Sequence, residues 1–88
     1  MYEETLEIRG INRSDLISYL IAIGGQQKGM DTNIVFDEQW HAVVSNEQFF
    51  RFLQSDVPKV FVTFVSEDEN ILKGIIEKFR KKTFRAGG

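Results

Sequence analysis

Lys59-Val60-Phe61-Val62-Thr63-Phe64-Val65, followed at once by Ser66-Glu67-Asp68-Glu69, decides the fold of this 88-residue chain. The first seven residues are dense in Val and Phe and read as the clearest strand of the sequence. The next four form an S-x-x-E capping box and so announce a helix. Ile71, Leu72, Ile75, Ile76 and Phe79 then make one apolar stripe, which predicts a helix over roughly 67–82. Residues 83–88 are expected to be a flexible C-terminal tail.

Working back from this strand, Asp56-Val57-Pro58 is a break, because the proline pushes Val57 into extended geometry. Residues 46–53 carry two patterns. Phe49, Phe52 and Leu53 have helical spacing, whereas Phe50 and Phe52 alternate; the aromatic content and turn-like flanks favour a strand. Asn33 to Phe36 and Trp40 to Ser45 read as a hairpin turned by Asp37-Glu38-Gln39. Residues 26–32 are polar and read as a loop. Before them lies a helix capped by Asn12 or Ser14, with Leu16, Leu20 and Ile23 on its stripe and Gly24-Gly25 as its stop. Tyr2 to Arg9 alternates as a half-buried strand. The expectation is one α+β domain over residues 1–88, in the order β-α-β-β-β-β-α. It has an antiparallel sheet of about five strands and both helices on one face.

Side-chain parity along these strands predicts which residues face the helices. The even positions from Leu6 through Ile34, Phe36, Trp40, Ala42 and Val44 to Phe64 are assigned to the core. The odd positions Val35, His41, Val43, Phe61, Thr63 and Val65 are assigned to the outer face. A solvated face would be more polar than this. Val35, Val43, Phe61 and Val65 are therefore the candidate interface, for self-association or for another protein.

Composition excludes several classes of chemistry. The chain has no Cys, so disulfides, thiolate metal sites and thiol nucleophiles are ruled out. Without disulfides a domain this small is expected in the cytoplasm. Its start, Met1-Tyr2-Glu3-Glu4, is unlike a signal peptide, and no apolar run suits a membrane helix. A net charge of −2 gives no general affinity for nucleic acid. His41 is the one histidine and has no neighbours at metal-ligand spacing, so neither a metal nor another cofactor is expected. No serine sits in a nucleophile elbow and no glycine-rich phosphate loop is present, so no catalytic residue is assigned.

Two further features could bind or react. Lys78, Lys81, Lys82 and Arg85 form a basic cluster that complements the end of a helix and could also hold an anion. The chain ends Ala86-Gly87-Gly88. Two residues without Cβ make a thin tail that could thread into an adenylating enzyme, as in ubiquitin-like sulfur carriers, so Gly87 and Gly88 are a candidate carrier terminus.

Arg9-Gly10-Ile11, Leu16-Ile17-Ser18-Tyr19-Leu20 with Gly24-Gly25, Trp40 after a turn, Val57-Pro58 and the segment from Arg80 to Gly88 resemble a family over nearly the whole chain. It is a domain of unknown function that forms the C-terminal part of proteins related to the small subunit of molybdopterin synthase. The resemblance implies a TATA-binding-protein-like α+β fold, no catalytic residues, and a setting in molybdenum-cofactor or sulfur-transfer biochemistry. In those proteins the ubiquitin-like carrier part is separate. The leading expectation is a non-enzymatic interaction module that self-associates through its open sheet face. The alternative is a Gly-Gly carrier or accessory protein of sulfur transfer.

Overall fold

The computed structural model describes residues 1–28 and 31–87. The elements are β1 (Tyr2–Arg9), α1 (Arg13–Ala22), β2 (Gln26–Lys28), β3 (Asp31–Phe36), β4 (Trp40–Val44), β5 (Gln48–Phe52), β6 (Ser55–Ser66) and α2 (Glu69–Gly87). The expected α+β class and antiparallel sheet are present. β2 is additional: a three-residue strand that pairs with β3 where a loop is expected.

β6 organises the sheet. The order is β1-β6-β4-β3-β2, and β5 also pairs with β6. β1 lies along one edge of β6, from Tyr2 opposite Ser66 to Arg9 opposite Lys59. β4 and β5 share the other edge in tandem, β4 against residues 62–66 and β5 against residues 55–59. Within the segment 46–53, Gln48–Phe52 is strand and no part is helix. Between β4 and β5 the register slips by one residue, a bulge that lets one side of a strand carry two partners. Ser45 holds it: its N–H donates to the Phe61 carbonyl and its hydroxyl accepts from the Phe61 N–H, both at 2.9 Å. Arg13 clamps the same place from α1, with Nε donating to the Ser45 carbonyl at 2.9 Å and its backbone N–H to the Glu47 carboxylate at 2.6 Å.

Both helices cover one face. Leu16, Ile17 and Leu20 of α1 and Leu72, Ile75, Ile76 and Phe79 of α2 join a single core with Leu6, Val35, Trp40, Ala42, Val44, Val60, Val62 and Phe64. Phe64 sits at its centre, in edge-to-face contact with Phe79 at 5.2 Å and near Trp40 at 6.4 Å. Asn12 is the N-cap of α1, accepting from the Asp15 N–H at 3.0 Å. The helix ends in a Schellman arrangement, with Gly24 at φ 114° and the Gly25 N–H bonded to the Leu20 carbonyl at 3.0 Å. Gly25 packs so closely on Val35, Trp40 and the Leu20 carbonyl that a Cβ there has no room.

Two boundaries differ from the expectation. Ser66 does not cap α2. Asp68 does, its Oδ1 accepting from Asn70 and Ile71 N–H groups at 2.8 and 3.2 Å. The helix runs on past Lys82 to Gly87, through residues assigned above to a tail. Within it, a 2.8 Å hydrogen bond from Lys73 to Glu69, followed by the charge of that carboxylate, raises the Lys73 pKa above its ordinary value. No helix among the described residues is long and apolar enough to cross a membrane.

Leu53 and Gln54 join β5 to β6 with φ of 50° and 69°. A two-residue hairpin with both central residues at positive φ is the type I′ geometry that Asn-Gly favours, and an L-residue with a Cβ is strained there by roughly 1–2 kcal/mol. The double substitution Leu53→Asn, Gln54→Gly is expected to raise unfolding stability by about 1–2 kcal/mol, read as a higher denaturant midpoint at unchanged slope.

Candidate functional site

The sheet face turned away from the helices is the most distinctive surface of the molecule. Register determines what it displays. Because β6 pairs with β1 and β4 at matching parity, Thr5, Glu7, Arg9, His41, Val43, Phe61, Thr63 and Val65 share this side. The β3–β4 hairpin breaks the expected parity. Phe36 pairs with His41, so four residues rather than three close the turn, and Val35 lies opposite Ala42. Val35 is consequently fully buried under the helices and is withdrawn as an interface residue. Ile34 and Phe36, assigned to the core by parity, take its place outside.

The face is mixed in a graded way. Val43 and Ile34 are 40% and 39% exposed, Phe61 and Phe36 are half-buried, and Val65 is buried at 7%. Thr5 and Thr63 exchange a 2.8 Å hydroxyl hydrogen bond across β1 and β6. Toward the β5–β6 hairpin the face becomes basic. Arg9 lies over the Phe50 ring at 5.1 Å, and Lys59 over the Phe61 ring at 5.6 Å. Glu7 offsets part of this charge through ion pairs to Arg9 at 3.3 Å and Lys59 at 3.8 Å.

At the opposite end of β6 the face opens into a cleft of about 600 Å³. Ile34, Phe36, Trp40, Val65 and Ile71 form its apolar walls, and Asp37, Glu38, Glu67 and Asp68 its rim. Ser66 builds this corner. Its buried hydroxyl donates to the Gln39 carbonyl at 2.8 Å and accepts from the Asp68 N–H at 3.1 Å, tying the β3–β4 turn to the start of α2. His41 lines the cleft as well. Among the described residues no cluster of three or more His, Cys, Asp or Glu could hold a metal ion.

The other candidates stand apart. Lys78, Lys81 and Lys82 meet Ala22, Ile23 and Gly24 in a groove of about 590 Å³ between the end of α1 and α2. The side chain of Arg85 lies outside the described residues. Gly87 is the last residue of α2, and Gly88 lies outside the described residues. The β5–β6 tip, to which the sequence reading assigned no role of its own, presents Phe49, Phe52 and Leu53 at 61%, 58% and 83% exposure. Its sequence signal is the aromatic-rich run Phe49-Phe50-Arg51-Phe52.

A family model described as archaeal MoaD-like protein matches residues 4–88. No curated protein and no solved structure matches the chain.

The Ser66 hydroxyl is buried and satisfies two backbone groups that hold the cleft together. Ser66→Ala is expected to lower unfolding stability by about 1–3 kcal/mol, with faster hydrogen exchange at the Asp68 amide than at the amides of β1. Equal protection of the Asp68 amide in both proteins would remove this role.

Proposed function

The chain belongs to the archaeal MoaD-like protein family, and from that footing we propose that it is a non-enzymatic interaction module that self-associates through the outer face of its sheet. The family match supports a setting in sulfur-transfer and molybdenum-cofactor biochemistry for this module. The observation that carries it is the row Ile34, Phe36, Val43 and Phe61, apolar side chains left partly open on a face that neither helix covers. A monomer gains nothing in stability from presenting such a row to water, and contiguous apolar surface of this kind marks contact sites.

Val43→Lys and Phe61→Lys place a charge in the middle of that row without touching the core beneath. Size-exclusion chromatography with light scattering is expected to show association in the parent protein and its loss in both variants, with circular dichroism unchanged. A parent protein that stays strictly monomeric at high concentration overturns the reading.

One observation favours a second reading. The family match spans residues 4–88 and so includes Gly87 and Gly88. Under this reading the terminal carboxylate is adenylated with release of pyrophosphate, the outer sulfur of a persulfide donor displaces AMP to form an acyl disulfide, and a thiol cleaves the S–S bond, leaving the thiocarboxylate and carrying the donor off as a mixed disulfide. Incubation with an adenylating enzyme, ATP, a persulfide donor and a thiol reductant is expected to raise the intact mass by the difference between one sulfur and one oxygen. No mass change with a competent enzyme removes the carrier role.

A further inference from the structure

The two ends of β6 are chemical complements. At one end the hairpin tip puts Phe52 and Leu53 into solvent, on a turn whose positive φ angles cost energy that a glycine would not. At the other end lies the apolar cleft bordered by Phe36 and Val65. Both include residues of the outer face, in the cleft Ile34, Phe36, His41 and Val65. Phe50 and Phe52 pair with Val57 and Ser55, which have the outer-face parity of Phe61 and Val65 along β6. Charge follows the same division. Arg9 and Lys59 lie toward the tip, whereas Asp37, Glu38 and Glu67 border the cleft. Neither Asp37 nor Glu38 has a side-chain ion pair or hydrogen bond among the described residues, so their charge is free to meet a cation from elsewhere.

We infer that the partner on this face is a second copy of the chain, related by a two-fold axis across the middle of β6, with each hairpin tip seated on the other copy's cleft. The inference rests on the proposed self-association through the outer face and adds the direction of packing and the two seats that fix it. β6 has twelve residues, a span of about 40 Å at roughly 3.3 Å per residue. A two-fold through its centre exchanges its ends, so tip meets cleft twice in one interface. The basic end of each copy then overlies the acidic end of the other, whereas parallel packing would set like charges together. Because tip and cleft share a face, the arrangement closes at two copies. The same patches on opposite faces would have given an open filament.

The test is a charge swap read by light scattering and sedimentation. Arg9→Glu alone, and Glu38→Arg with Glu67→Arg in a second protein, are each expected to raise the dimer dissociation constant by at least about tenfold. An equimolar mixture is expected to restore the dimer, because one tip–cleft contact is then native and the other has both signs reversed. Leu53→Asp, on a fully solvated turn, is expected to weaken the dimer similarly while leaving the circular dichroism spectrum unchanged. This tests the contact should a swapped protein fold poorly. A parent dimer insensitive to the swaps and to Leu53→Asp overturns the antiparallel seating and leaves self-association standing. So does a mixture that stays monomeric, or a mass that grows beyond two copies with concentration. A monomeric parent overturns both.

Discussion

The contact between Phe64 and Phe79 holds this molecule together. Phe64 stands at the centre of the sheet's covered face, fully buried, and Phe79 meets it edge-on from α2. Fully burying two phenylalanines contributes on the order of 3–6 kcal/mol, a large share of what a domain this small can accumulate. The edge-to-face geometry adds direction to that burial. It fixes where α2 crosses β6, and Trp40 on the other side of Phe64 ties β4 to the same point. With both helices committed to this face, the opposite face is left without a cover. The candidate site is therefore a by-product of how the core is satisfied.

Much of the architecture is legible in the residues because local pattern and tertiary environment agree. Tyr2–Arg9 alternates and is a strand; Leu16 and Leu20 mark a helix face and are buried; the Phe79 stripe packs as its spacing requires. What was not legible depends on counting across turns. A hairpin that closes with four residues rather than three reverses every side chain that precedes it, which is why Val35 and Ile34 exchanged places. The bulge at Ser45 likewise needs the long-range contacts of Phe61 and Arg13 to exist, and nothing local announces it. The S-x-x-E pattern at Ser66 was a real signal put to another use. The hydroxyl is drawn inward to the Gln39 carbonyl, and Asp68, two residues on, caps the helix instead.

The site was half visible. Three of the four residues expected on the outer face are there, and the fourth was lost to the hairpin register. The cleft could not be read from sequence, since its walls come from β3, β4, β6 and α2 and meet only through the Ser66 corner. The aromatic run at Phe49-Phe50-Arg51-Phe52 was visible as composition. Its meaning came only with the tandem pairing of β4 and β5, which carries the hairpin beyond the helices and leaves Phe49 and Phe52 bare. Membership of the archaeal MoaD-like family and the distribution of apolar and charged groups over one face are the two supports of the proposed contact role.

The pairing of β1 with β6 also governs the order in which the chain can assemble. Tyr2 lies opposite Ser66, so β1 finds its partner only after every element from α1 to β6 has been made. The β5–β6 ribbon, closed by two residues, needs little loop entropy and can zip early, whereas docking β1 demands closure over most of the chain. Until then the strand is an unprotected ribbon, and its glutamates at positions 3, 4 and 7 keep neighbouring nascent chains from annealing to it.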